Sequence, residues 1–407
     1  MHRLIKIIVL IFIFILTLTR SVSAQTTSSP YSVFGLGYLE GNSLGPSKAM
    51  GGTGIAFLSD RAINLLNPAS YSGMDSLVSI FELGLFGKYT TFKSKEDNQA
   101  QLNANLKYVV MGFRLTPWLA TSFGFAPYSS VGYNINTTAF VEGTSQKYAK
   151  TFTGEGGVNQ VYLGASVKLI KNLSFGVNAA YLFGNITSTE SAEQYYYNLQ
   201  NVTYLSNFIL DYGLNYRFAL KNWNYSIGLT YGSEKALNTN NLTTIQTASQ
   251  SETIKGRSQK YSIPQHFGAG IAFGKEFFRA GIDFERSQWG DISFANPLLR
   301  TRNSNRYSFG FEFPSQGLTK GTSRMVFYRF GAEYRDSYLI IDNTPINYRA
   351  VSLGAGMPLK GAISVINMSL ELGQNGTVTK GLFRETFVTL HIDMSLRALW
   401  FMPRKYE

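Results

Sequence analysis

The sequence predicts an all-β protein, a 14-stranded antiparallel transmembrane β-barrel of the outer-membrane type with an N-terminal plug in its lumen. Three observations predict it. The 407 residues include 30 Phe, 25 Tyr and 4 Trp but are only 15% charged, against about 25% in an ordinary soluble globule. The one long apolar run stands at the N-terminus, and no later segment has the eighteen consecutive apolar residues of a membrane helix. The rest of the chain alternates apolar and polar residues with period two, as a strand must when one face meets lipid and the other the lumen.

The first element is a secretory signal peptide over residues 1–24. Arg3 and Lys6 precede the apolar stretch 7–16, and Val22-Ser23-Ala24 supplies the small residues of a cleavage site. Without Arg3, Lys6 and Arg20, the 37 basic residues become 34 against 25 acidic, so the net charge falls from +12 to +9. Zero Cys excludes disulfides, thiolate metal sites, Cys nucleophiles and lipoprotein acylation.

The barrel occupies 76–407. Strands are expected near 76–93, 103–116, 118–134, 157–170, 172–187, 204–219 and 223–237, then near 260–273, 275–286, 303–313, 324–336, 348–358, 362–374 and 383–396. The clearest alternation sets Phe278, Ala280, Ile282 and Phe284 against Arg279, Gly281, Asp283 and Glu285. Another sets Val326, Tyr328, Phe330, Ala332 and Tyr334 against Arg329, Gly331, Glu333 and Arg335. A phase slip near Val110, Met111 and Gly112 suggests a bulge. Connections alternate between tight turns at Pro117, Lys171, Lys221-Asn222, Gly274 and Leu359-Lys360, with a longer one at 314–323, and longer polar loops at 94–102, 135–156, 188–203, 238–259, 287–302, 337–347 and 375–382. Short turns belong to the periplasmic side of such barrels, which places the protein in the outer membrane of a Gram-negative bacterium with both termini periplasmic. Trp118, Trp223, Trp289 and Trp400 fall at strand ends, where an aromatic girdle belongs.

Residues 25–75 lack sustained alternation and hold eight glycines. Fourteen strands enclose more space than wall side chains fill, so this stretch is expected to be the plug, or hatch. Within it, Ala49-Met50-Gly51-Gly52-Thr53-Gly54-Ile55-Ala56, then Asp60, then Asn67-Pro68-Ala69, resembles the hatch of the FadL-type fatty acid transporter family. Pro264, Gly268, Asp283 and Trp289, and later Arg329-Phe330-Gly331-Ala332-Glu333-Tyr334 with Ser352-Leu353-Gly354, extend the resemblance over the mature chain. It implies a channel that carries long-chain fatty acids or other hydrophobic compounds and releases them sideways beside a kinked third strand. Gly124, Ala126 and Pro127 stand in that strand here as the candidate lateral gate, since proline lacks the ladder donor. Residues 71–74 depart from the Gly-Leu that follows the triplet in the transporters. Similar hatches occur in FadL-like barrels that act as accessory subunits of secretion or assembly complexes, such as the PorV-type shuttle, and that alternative stays open.

No catalytic chemistry is expected. There is no nucleophile elbow, phosphate-binding loop or Rossmann fingerprint, and neither metal nor cofactor is implied. His391 shares a lumen face with Asp393, but a polar lumen needs such residues. Arg279, Asp283, Glu285, Arg329, Glu333, His391 and Asp393 are therefore expected to be polar lumen residues. Scattered basic residues need no nucleic acid. The expected partners are membrane lipids, a hydrophobic small-molecule ligand and other outer-membrane proteins.

Overall fold

The structure, a computed structural model, describes residues 29–399 apart from 59–60, 77, 96–97, 257–259, 276–277, 293–298, 317–324 and 360–363. The signal peptide, Asp60 and Trp400 lie outside the described residues. Fourteen strands make the wall. They are β1 (Val78–Lys93), β2 (Asn98–Arg114), β3 (Leu119–Phe140), β4 (Lys147–Ile170), β5 (Leu173–Ala192), β6 (Tyr197–Leu220) and β7 (Trp223–Gly232), then β8 (His266–Lys275), β9 (Phe278–Ser287), β10 (Ser304–Gln316), β11 (Met325–Ile341), β12 (Thr344–Pro358), β13 (Val365–Gly376) and β14 (Arg384–Leu399). Each pairs antiparallel with the next, and β1 pairs with β14 from Val78 and Leu399 to Lys93 and Arg384, which closes the sheet.

Alternation decides which side each residue faces. On β9, Phe278, Ile282 and Phe284 are exposed outward while Asp283 is buried. On β4 the exposed apolar residues run from Val161 and Leu163 to Leu169 and Ile170, about the ten residues that a tilted strand needs to cross hydrocarbon. The outer band therefore fits a bilayer.

The strands extend further than alternation predicted. The expected loops 135–156, 188–203 and 337–347 are largely strand, because hydrogen-bonded polar strands in water need no apolar face. Asp342 and Asn343 both have positive φ and make the two-residue turn between β11 and β12, the geometry that a tight hairpin favours. The expected loop 238–259 contains a hairpin, Asn238–Gln246 with Ser251–Lys255, whose first strand pairs with β6. Trp289 is not part of a girdle. It is buried, with its ring stacked on Tyr338 at 4.2 Å between centroids.

The N-terminal segment, residues 29–75, packs against the inner face of the wall. Leu36, Ile63, Tyr71 and Met74 share one apolar core with Ile80 of β1, Tyr108 and Val110 of β2, Val158 of β4 and Leu182 of β5. Wall glycines let the backbones meet. A Cβ at Gly213 of β6 would stand 2.0 Å from Asn67 Oδ1, one at Gly228 of β7 2.1 Å from the Ile55 carbonyl oxygen, and one at Gly331 of β11 2.0 Å from the Met50 carbonyl carbon. Ser29, the first described residue, donates a hydrogen bond to Glu385 at the start of β14, the long-loop end. Leu399 ends the same strand at the short-turn end, so residues 29 and 399 lie at opposite ends of β14.

Candidate functional site

The wall has one discontinuity among its fourteen described pairings, between β2 and β3. Their ladder holds six pairs, from Arg114 and Ala120 to Val109 and Phe125, and then stops. Beyond it β2 continues on β1 as far as Asn98, and β3 continues on β4 as far as Phe140. A bulge marks each side of the parting. On β2 the register shifts between the pairs Gly84 with Tyr108 and Leu85 with Leu106, which leaves Lys107 as the extra residue. On β3 it shifts between Pro127 and Ser129, which leaves Tyr128 as the extra one. Bulges bend a strand and increase its twist, so the two strands splay. The first lies at Lys107, not at 110–112 where the phase slip suggested it. Gly124 is inside the last paired stretch, where a Cβ would come 2.4 Å from the Val109 carbonyl oxygen. Ala126 and Pro127 pair only with Gln160 and Asn159 on β4.

The N-terminal segment fills the root of this seam. Tyr38 and Leu39 pair as a short antiparallel strand with Ser130 and Ser129, and the Glu40 N–H donates to the Tyr128 carbonyl at 2.9 Å. The Glu40 carboxylate reaches both sides. It forms an ion pair with Lys107 of β2 and accepts a hydrogen bond of 3.0 Å from Ser130 of β3. A bulged lysine and a carboxylate of the N-terminal segment thus tie together two strands that no longer pair. Next to this junction is a cavity of about 200 Å³ whose lining includes Glu40, Lys107, Asp211, Glu285, Arg306 and Arg335.

The hatch residues named from sequence lie deeper. The Gly54 and Ile55 N–H groups donate to Asp283 Oδ2 at 2.6 and 2.9 Å, and the Gly52 carbonyl accepts from Arg306 at 3.1 Å. Gly51, at φ +63°, sits so close to β11 that a Cβ would stand 2.5 Å from the Ala332 nitrogen. Asn67 is fully buried. Its side-chain amide donates to the Ile55 carbonyl at 2.7 Å and the Leu214 carbonyl at 3.1 Å, and its Oδ1 caps the turn Pro68–Gly73 through the Ala69 N–H. Pro68 and Ala69 lie against Gly176 of β5. Pro68 also lines the cavity beside the seam, but the segment that pairs with β3 beyond the parting is 38–40.

The polar wall residues form separate groups. Glu312 lies between Arg279 and Arg329, with 2.7 Å to Arg329, which also donates to Asn367 at 2.8 Å. Glu285 pairs with Arg306 at 3.2 Å and Glu333 with Arg335 at 3.7 Å. His391 contacts Glu371 at 3.2 Å, and Glu371 also meets Lys48 of the N-terminal segment at 3.1 Å. Asp393 accepts from Tyr108 at 2.7 Å, so His391 and Asp393 serve different partners. Among the described residues no group of three or more metal-ligating side chains assembles. Sequence reasoning missed Glu40, Lys107, Glu312 and Glu371, whose partners are distant in the chain. The wall glycines did leave a signal, a Gly in the lumen phase of successive strands.

The fold and site define a class: a closed 14-stranded barrel of the FadL-like outer-membrane type, with an N-terminal segment folded against its inner wall and a seam beside the third strand. The chain belongs to the BamG family, whose model matches residues 4–407. Among solved structures it resembles the P. putida toluene transporter TodX, at 15% identity and a TM-score of 0.64 over 89% of this chain and 100% of that one. It also resembles the Ralstonia pickettii toluene transporter TbuX, at 14% identity and a TM-score of 0.60 over 88% and 99%. The CymD monoaromatic hydrocarbon channel matches at 16% identity and a TM-score of 0.54 over 88% and 98%. At these identities the likeness is one of fold. No curated protein sequence matches the chain.

Proposed function

We propose that the protein is a non-enzymatic outer-membrane barrel that passes hydrophobic compounds between its lumen and the bilayer through the seam between β2 and β3. Residues 25–75 serve as the plug, and the short turns face the periplasm. The observation that carries this reading is the parted ladder with Glu40 across it. An unpaired backbone group in hydrocarbon costs several kcal/mol, so a gap in the wall persists where something else satisfies the strands, and the stretch 38–40 does so at its root. Gly124, Ala126 and Pro127 make the gate by bending β3 from β2. At the foot of the seam the outer surface bears an apolar hollow of about 670 Å³ lined by Val109, Met111, Phe123, Phe125, Val161 and Phe208, a surface suited to receive an apolar molecule. The structural neighbours named for toluene and monoaromatic hydrocarbons support this substrate class, and the hatch resemblance extends it to long-chain fatty acids.

One observation favours a second reading, an accessory subunit of an outer-membrane secretion or assembly complex. The cavity beside the seam is lined by charged side chains, against which an apolar ligand loses their solvation. Uptake of labelled oleate and toluene by cells that depend on this protein separates the two. The transport reading predicts uptake above a deletion strain, and reduced uptake by Pro127→Ala, which restores a backbone donor at the bend, at normal barrel assembly. Absence of uptake by the wild-type protein, together with stoichiometric co-purification of other outer-membrane proteins, would replace it with the second.

A further inference from the structure

The four strands from β3 to β6 have 22, 24, 20 and 24 residues, whereas β7, β8 and β9 have 10 each. On β4 the exposed large apolar side chains begin at Val161, so residues 147–160 and the part of β3 paired with them stand beyond the apolar band. The result is a sheet projecting on the long-loop side. One border is the hairpin strand Ser251–Lys255, which carries Glu252 and Lys255. The other is the free side of β3.

On that side β3 is engaged only at its root. Ser130 pairs with Tyr38, and the Gly132 N–H donates to Ser32 Oγ at 3.1 Å. These residues turn their backbone groups away from β4, and strand alternation puts Asn134, Asn136 and Thr138 in the same phase. Among the described residues no strand pairs with them there. The stretch Val131-Gly132-Tyr133-Asn134-Ile135-Asn136-Thr137-Thr138-Ala139-Phe140 has no charge and no proline, the usual devices that keep an edge from pairing.

We propose that the free edge of β3 over 133–139 is a strand-addition site for an extended polypeptide segment of a partner protein. The chemistry selects the occupant. Alternating N–H and C=O groups over about 23 Å, at ~3.3 Å per residue, are matched by another peptide backbone, and the chain's own strand Tyr38–Leu39 already pairs on the same edge two residues away. Backbone pairing supplies affinity and alternate side chains supply selectivity. This interaction does not depend on whether the seam passes apolar molecules.

The test uses the full-length protein in lipid nanodiscs and a fluorescent decapeptide of alternating Thr and Val with terminal lysines. Saturable binding is expected, with slowed amide exchange confined to peptides covering 131–140. Asn134→Pro removes an outward donor and leaves the β4 ladder intact, and Thr138→Lys places a charge on the edge. Each is expected to weaken binding by about tenfold, the equivalent of roughly one lost hydrogen bond, with heat-modifiable migration in gels unchanged. Absence of protection over 131–140, or equal binding by wild type and both variants, would overturn the proposal.

Discussion

Replacing Gly213 and Gly331 together by valine is expected to drive the N-terminal segment out of the lumen and turn a plugged barrel into an open pore. Both glycines face inward, and at each a Cβ would fall 2.0 Å from an atom of the segment, Asn67 Oδ1 or the Met50 carbonyl carbon. Overpacking costs about 1–3 kcal/mol per site. Two sites on strands far apart act additively, for roughly 2–6 kcal/mol in all. The wall tolerates the change, because β-branched residues suit strands. Single-channel recordings in planar bilayers should show persistent large conductance in the double variant and none of comparable size in wild type. Unchanged conductance in a variant that still migrates as a folded barrel would mean that the segment does not block the lumen.

The second large effect concerns the wall itself. Glu312→Ala is expected to destabilise the barrel by about 3–5 kcal/mol, the cost of leaving buried charge without its partner. Arg329 is buried and Arg279 half-buried; both depend on this carboxylate, and Arg61 adds a third guanidinium over the ring of Phe327, 4.3 Å from its centroid. Adding Arg329→Met should recover part of the loss, so the double variant falls less than the sum of the singles. Urea unfolding from lipid vesicles measures both, and additive losses would show that the three groups are not one network.

Much of this architecture is legible in the sequence because period two is a local signal. Phe278, Ile282 and Phe284 already distinguish lipid face from lumen face, and each of the fourteen expected strands overlaps one that is present. Strand ends are less legible. Beyond the bilayer the apolar phase disappears, while backbone pairing continues through Asn, Thr and Gln in β3, β4 and β6, so those strands read as loops. The aromatic girdle failed at Trp289 because a Trp at a strand end can equally fold inward onto a ring such as Tyr338. The site was legible in parts. Asn67 and Asp283 are visible as unusual polar residues in short motifs, but nothing local connects Glu40 to Lys107 or Glu371 to Lys48. Proline marked the bend in β3 at Pro127, whereas the matching bulge on β2 is made by Lys107, which carries no such mark.

The most direct test is a reversible lock of the N-terminal segment onto β3 at the root of the seam. The chain has no native Cys, and Leu39 lies opposite Ser129 in the short ladder, so Leu39→Cys with Ser129→Cys should form a disulfide on mild oxidation. The oxidised double variant, correctly assembled in cells, is expected to lose uptake of labelled oleate and regain it on reduction, while each single variant transports as wild type does. Quantitative cross-linking with uptake equal before and after reduction would contradict the claim that apolar molecules leave through this seam.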